Sequence, residues 1–430
     1  MTRVTVATAR RGPRGLASPG VRLAALIAIL ALGAFFRFSG LNWDDGSQPH
    51  PDERYMSQVA SALHSGELVP AGHDAAAREA HRAECQARHP ATKGVGDWFD
   101  TRCSDLNPAN AGYPGYPYGQ LPLVAVRYLA ELAAAATDWV DAARYDGIAM
   151  VGRVFSGAVE LATIVAIVLL GRLLWGLRTG LLAALLYALA VHAIQVAHFW
   201  TVDPAATLLA TWALLFLVRL ARFARLGDAL AFGVAFGLAM ASKISVLPLV
   251  LLLPVAALLA PSTVRFAAPP SWTARGALAL PAVLLALIAA AATYRLASPY
   301  SFSGPGLLDF GLSDAFVEQV AVSRRLASGA VDVPPNWQWL IRMAWVTPGR
   351  DMLVWGLGPL AGAAALVGFG VAGLRLLRAA TPMQRARALV WCWVAGYFFW
   401  MGQQWVASMR YFLPIYPALC LLAAGWLVPA

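Results

Sequence analysis

VRLAALIAILALGAFFRFSG, residues 21–40, decides the fold class. One helix needs about 20 apolar residues to cross a bilayer, and this run supplies them. Five arginines, Arg3, Arg10, Arg11, Arg14 and Arg22, stand at or before its start. A basic start and an apolar middle also describe a signal peptide. This run is too long for that, and no small-residue cleavage pattern follows it. The reading is an uncleaved helix entered from the cytoplasm, with residues 1–20 as a cytoplasmic basic tail.

Similar runs recur to the end of the chain. The 430 residues are 59% hydrophobic and only 13% charged, against about a quarter charged in soluble domains. A buried soluble core is thereby disfavoured, and the chain reads as an all-α polytopic membrane protein. The net charge of +10 would point to nucleic acid in a soluble chain. Here its placement decides.

Residues 40–149 form a long polar stretch with fifteen Asp/Glu and eight Lys/Arg. Long loops are exported whatever their charge, so this is read as the first outer loop. Spans are predicted at 150–172, 179–199 and 203–220. The turn carrying Arg172 and Arg178 and the segment with Arg219, Arg222 and Arg225 fall inside. HFWTVDP (198–204) has no basic residue and falls outside. Residues 228–260 are too long for one straight crossing, and ASKIS (241–245) interrupts them with Lys243. Two short helices put Lys243 outside and the basic linkers 261–275 and 381–388 inside, as the positive-inside rule prefers. The remaining spans are 276–297, 352–377, 388–406 and 411–428, with 298–351 as a second outer segment. That makes about ten helices. Sixteen basic residues then face the cytoplasm against one acid, Asp228. The positive charge is accounted for by topology and anionic lipid, not by nucleic acid. The chain stops right after its last span without a polar tail, which reads as a piece of something longer.

Under this topology QPHPDERYM (48–56), Asp203, Lys243, residues 298–350 and Arg410 gather at one membrane face. Ionisable groups at membrane depth are costly and usually functional. A carboxylate can take a proton from a hydroxyl. Arg and Lys can hold developing phosphate charge. A lipid-linked phosphosugar makes both demands at this depth. QLPLVAVRYLAEL (120–132) carries Arg127 and Glu131 four apart and reads as an interfacial helix. GYPGYPYG (112–119) leads into it as an ordered loop, and PPNWQWLIRMAW (334–345) reads as a second surface-lying element.

The chain resembles the bacterial, phospholipid-carrier-dependent branch of glycosyltransferase family 39, which includes protein O-mannosyltransferases and the lipid A aminoarabinose transferase and has the GT-C fold. The matching features run in order: HPDERYM, GYPYGQLPLVAVRYLAE, VGRVFSGAVELATIVAIVLLGRLLWG, HFWTVDPAATLLATW, FGLAMASKISVLPLVLLLP, ASPYSF, PPNWQW, LVWGLGPLAG and SMRYFLPIYPAL. They span about residues 21–428. The resemblance implies an inverting transfer from a polyprenyl-phosphate sugar to an acceptor hydroxyl of protein, lipid or glycan. The enzyme would sit in the bacterial inner membrane with its site on the periplasmic face. It makes Asp52 the general base with Glu53 beside it, and adds Asp203. It gives Lys243, Arg410 and Tyr411 to donor phosphate or substrate, with Arg127 and His50 as further candidates. No cofactor or metal is assigned, although two carboxylates leave a divalent ion open. The C-terminal soluble domain of some relatives has no counterpart.

Each residue has a plainer reading. Asp52 and Asp203 can cap helices, Lys243 can snorkel, Arg410 can anchor its helix, His50 can be a local hydrogen-bond partner and Arg127 can simply pair with Glu131. The rival functions are a transporter or flippase of a lipid-linked envelope precursor and a non-catalytic scaffold. In the first loop, Cys85 and Cys103 suit a disulfide of the exported compartment. Free thiols are the other reading, and a zinc site of His81, Cys85, His89 and Cys103 the least favoured one. Cys392 and Cys420 lie inside spans and read as apolar packing.

Overall fold

The computed structural model describes residues 19–65, 83, 87, 98–260, 272–378 and 381–428. The described residues are helical apart from turns and a single β-bridge between Phe302 and Leu312. Helix α1 runs over Pro19–Phe38 and α2 over Pro51–Ala62. Later in the first loop come α3, Gln120–Ala136, and then α4, Tyr145–Leu174. Then follow α5 (Leu177–Ala188), α6 (Val191–Ala197), α7 (Asp203–Phe223) and α8 (Leu226–Ser242). A 3-10 turn, Ile244–Leu251, leads into α9, Leu252–Leu259. The rest comprises α10 (Trp272–Ala297), α11 (Asp314–Ala327), α12 (Pro359–Leu376), α13 (Pro382–Gly402) and α14 (Tyr416–Leu427).

Among the described residues six helices are long and apolar enough to cross a membrane, and α5 with α6 makes a seventh if that pair, bent by 60°, counts as one span. This is a multi-pass membrane protein. The segments Leu226–Ser242 and Ile244–Leu259 are apolar but shorter. The expected ten is therefore a count of apolar segments, of which six pass on length and composition. Several predicted spans also begin or break elsewhere. The 179–199 run bends at Leu189–Ala190, where Ala190 is extended. The 352–377 run opens with a wide π-type turn at Met352–Gly356, and Gly358, with φ of +88°, separates it from α12. The 388–406 run begins earlier, because Thr381 and Gln384 form a capping box in front of Pro382.

The interruption at Lys243 is real. Lys243 is extended between α8 and the 3-10 turn, and Pro248 has no N–H with which to continue a regular α-helix. The chain therefore turns back, and Lys243 ends beside the start of α7. The apolar core links α1, α4, α5, α7, α8, α10, α13 and α14 through residues such as Ile164, Tyr187, Leu217, Phe232, Val390 and Leu421.

A smaller cluster sits at the Tyr145 end of α4, where α2, α3 and Trp200 pack around Met56, Leu123 and Ile148. Arg127 binds this unit together. Its Nε meets Glu131 Oε1 at 2.7 Å, and its Nη1 donates to Ala60 O and Ala143 O, both at 3.1 Å. Glu131 also accepts from the Ser65 amide at 3.0 Å. With 1% of its surface exposed, this guanidinium already spends its donors on the fold. The structure places Arg127 in this network, where its plainer reading, the pair with Glu131, puts it.

Cys103 is disulfide-bonded. Its expected partner Cys85 lies outside the described residues, as do His81 and His89. Cys392 and Cys420 are free thiols packed in the helices. Among the described residues there is no group of His, Cys, Asp or Glu fit to hold a metal.

Candidate active site at the Tyr145 end of the bundle

Helix α2 starts at Pro51, so Asp52 lies in its first turn and is not its cap. His50 is its N-cap, extended as a residue before proline prefers, and its Nδ1 accepts from the Glu53 amide at 3.4 Å. Pro51 opens the first turn, and Asp52 and Glu53 favour the positive end of the helix dipole. The two neighbouring carboxylates then diverge.

Glu53 points into the fold and is 0% exposed. Its Oε1 accepts from Arg153 Nε at 2.7 Å and from the Trp200 amide at 2.9 Å, and its Oε2 from Arg153 Nη2 at 2.9 Å. Arg153 spends its other donors on Asp44, at 2.8 and 2.7 Å, and on Leu41 O at 2.7 Å. The hydrogen bond from Arg153 holds the Asp44 carboxyl below its usual range, against the opposing effect of burial.

Asp52 points the other way. Its Oδ2 pairs with Arg410 Nη1, from the 3-10 turn Met409–Ile415 that precedes α14. Both side chains keep a solvent face, 15% and 23% exposed. Tyr118 lies beside Asp52, and burial, followed by the charge of Asp52, raises its hydroxyl pKa far above the usual tyrosine range.

A second pair completes the group. Asp203 stands in the first turn of α7, followed by Pro204. Its Oδ1 meets Lys243 Nζ at 2.5 Å. The Tyr411 ring lies between the cations, 4.5 Å from Lys243 Nζ and 5.3 Å from Arg410 Cζ, within cation–π range. The fields of Arg410 and Asp203 reach each other, and His192 in α6 feels both. His50 packs on Phe199 at 4.7 Å. Burial, and next the charge of Arg410, lowers its pKa.

Local packing makes the convergence possible. A Cβ on Gly119 would lie 2.0 Å from the carbonyl oxygen of Ser242. Only a glycine lets the loop of Tyr116 and Tyr118 sit against the break that carries Lys243. Tyr55 ties that loop to α2, with ring centroids 6.0 to 6.3 Å from Tyr113, Tyr116 and Tyr118.

Of the expected residues, Asp52, Asp203, Lys243, Arg410, Tyr411 and His50 meet at one place. Glu53 and Arg127 stand behind it in closed networks. Sequence reasoning gave no role to Tyr118, His192 or Asp44. His192 could have been noticed as one of few polar groups in an apolar run. Nothing local distinguishes Tyr118 from Tyr113 or Tyr116. Two anion–cation pairs on a partly open surface can bind a phosphate by exchange of partners and release a carboxylate for proton transfer.

Residues 148–288, about a third of the chain, match the family model described as dolichyl-phosphate-mannose-protein mannosyltransferase. No curated protein sequence matches the chain. Among solved structures, the oligosaccharyltransferase of Archaeoglobus fulgidus in its apo form superposes with a TM-score of 0.51 at 15% identity, over 94% of this chain and 50% of that one. ArnT from Cupriavidus metallidurans, bound to undecaprenyl phosphate, gives 0.51 at 16% identity, over 95% and 60%. A complex of the A. fulgidus enzyme AglB with an inhibitory peptide and a dolichol-phosphate gives 0.51 at 15%, over 94% and 50%. This chain thus spans half to three-fifths of the length of those proteins. Over residues 148–288 the chain is thus similar to that family, and nearly all of it shares the fold of these solved membrane glycosyltransferases.

Proposed function

We propose that this protein transfers a sugar from a polyprenyl-phosphate donor to an acceptor hydroxyl on the outer face of the bacterial inner membrane, with inversion. The observation that carries the reading is the pair of ion pairs, Asp52–Arg410 and Asp203–Lys243, set at one end of the bundle and partly open to solvent. In the free protein each carboxylate neutralises a cation. An arriving lipid phosphate competes for Arg410 and Lys243, because Arg and Lys bind phosphate with strong charge-assisted hydrogen bonds. Arg410 then loosens from Asp52, and a carboxylate freed from its cation is a better base. The acceptor oxygen attacks the anomeric carbon, the bond from that carbon to the phosphate oxygen breaks, and Asp52 takes the acceptor proton. Polyprenyl phosphate leaves with the electron pair, held by Arg410 and Lys243. Asp203 keeps Lys243 in place, and Glu53 orients α2 through Arg153. Attack from the face opposite the leaving phosphate inverts the anomeric centre. The solved complexes of ArnT with undecaprenyl phosphate and of AglB with a dolichol-phosphate support a lipid-phosphate ligand for this fold. No metal is called for, since two cations already meet the phosphate.

The test uses purified protein in lipid nanodiscs, a synthetic radiolabelled polyprenyl-phosphate sugar and an envelope extract as acceptor source. Labelled acceptor and released polyprenyl phosphate in equal amounts are expected. Movement of intact donor across the membrane of proteoliposomes, without release of polyprenyl phosphate, would support a flippase instead. Mass spectrometry of the product identifies the acceptor and the anomeric configuration.

A further inference from the structure

The opposite end of the bundle holds a cleft. Helix α4 carries Arg153 beside Glu53 near its start and ends at Leu174. At 1.5 Å per residue the two ends lie about 30 Å apart. Around Leu174 opens a shallow cleft between α12, α13, α14 and the turn after α4. Its polar walls are Arg375, Arg387 and Gln384, and its aromatic walls Trp175 and Trp426. A Cβ on Gly425 would lie 3.0 Å from the Trp175 indole, so glycine is what lets that ring lie close against α14.

Arg387 is held in place. Its Nε and Nη2 donate to Leu174 O at 3.0 and 2.8 Å, at the end of α4 where carbonyls lack helical partners. Its guanidinium lies 5.3 Å from the Trp175 ring centroid. Arg375 and Arg222 stand close enough to repel it. Among the described residues none of these three arginines has a carboxylate partner, and Asp228 is taken by Arg219 at 2.6 Å. Like charges gathered around a cleft without a counter-acid call for an anion from outside. An apolar groove adjoins the cleft and shares Trp426 with it. Its other walls include Leu186, Leu360, Ala364, Val367 and Leu427.

From these features we infer that the cleft is a binding site for one phospholipid with an anionic headgroup, its phosphate between Arg375 and Arg387 and an acyl chain along the adjoining groove. Arginine binds phosphate in a bidentate manner, and basic pockets between membrane helices take anionic headgroups. Tryptophan is enriched at the depth where headgroup meets chain. A free phosphate would use the arginines but leave the groove empty. The site is distinct from the Asp52 cluster and stands whether or not that cluster transfers a sugar.

The experiment is native mass spectrometry of the full chain, delipidated in neutral detergent and titrated with short-chain phosphatidylglycerol, phosphatidylcholine or inorganic phosphate. The expected result is one phosphatidylglycerol bound about tenfold tighter than phosphatidylcholine, with inorganic phosphate a poor competitor. Arg375→Gln should weaken phosphatidylglycerol about fivefold, as should Arg387→Gln. Arg378→Gln, an exposed arginine of the same end outside the cleft, should leave it unchanged. Among the described residues the exposed Arg375 side chain makes no hydrogen bond or ion pair, so its variant remains informative if Arg387→Gln fails to fold. Equal retention of the two lipids would overturn the inference. An equal loss in the Arg375 and Arg378 variants would also overturn it, since that is general surface attraction. Displacement of the lipid by inorganic phosphate at matched concentration would overturn the lipid in favour of a plain anion site.

Discussion

Asp52 and Glu53 are consecutive carboxylates on one helical turn, yet they live in different electrostatic worlds. Glu53 is fully buried and accepts three hydrogen bonds from Arg153 and the Trp200 amide. Asp52 is 15% exposed and shares its charge with one arginine that itself remains 23% exposed. A carboxylate whose acceptor sites are filled from within the fold has little room for a substrate hydroxyl. One paired at an open edge can change partners. Proximity in sequence therefore says little about shared chemistry; the direction each side chain takes from the helix decides.

The largest effects should separate the two residues by kind. In Asp52→Asn, turnover should fall by roughly 10²–10⁴-fold, the usual worth of general-base catalysis. Donor binding should change much less, because an interaction confined to the transition state lowers kcat without weakening ground-state binding. Thermal stability in detergent should hold, since Asn also suits a helix start. Near wild-type transfer by a folded Asp52→Asn protein would remove Asp52 from the mechanism, and the same result in Asp203→Asn would remove sugar transfer from this site.

Arg153→Ala should show the reverse pattern. It strands Glu53 and Asp44 without their cation, and breaking a buried ion pair costs about 3–5 kcal/mol. The thermal midpoint in detergent should drop clearly, with donor affinity of the surviving folded fraction near normal. A stable Arg153→Ala protein with selectively lost turnover would instead move Glu53 into the chemistry and erase the contrast.

A smaller change is expected in Lys243→Met. The methionine keeps the apolar stem and removes the charge, so Asp203 loses its partner and the donor one phosphate contact. A charge-assisted hydrogen bond is worth about 1.5–3 kcal/mol. Donor affinity should therefore fall roughly 10- to 100-fold by equilibrium binding. Unchanged affinity would leave Lys243 as a partner of Asp203 alone.

The smallest effect concerns pH. Burial and Arg410 lower the His50 pKa below its ordinary value, so in the unfolded chain His50 gains its proton at a higher pH than in the folded one. As pH falls below about 6.5, the unfolded state binds the extra proton first and is favoured, so stability declines. His50→Asn keeps an N-cap acceptor and should lose less stability than wild type between pH 7 and 5. Asp44 acts in a lower window. Its carboxyl pKa is depressed, so its contribution is present above the unfolded value, about 3.9, and is lost as pH falls through the folded one. Parallel melting curves for the two proteins over pH 7–5 would assign the decline to another group.

By itself the sequence determined the membrane class, the helical fold and the break at Lys243. Those follow from the length of the apolar runs, the placement of arginines and a proline, all local or additive signals. The gathering of Asp52, Asp203, Lys243 and Arg410 was also legible, because the alternation of basic and non-basic turns puts distant residues at one end of a bundle. Tertiary structure decided which of these groups are partners. It buried Glu53 under an arginine 100 positions later, spent Arg127 on backbone carbonyls, and brought Tyr118 onto Asp52 through a glycine that fits against Ser242. Ion pairing depends on distances of a few ångströms between residues far apart in the chain. A periodic pattern fixes the face and end of a helix to about a turn, which is too coarse to say which carboxylate meets which cation.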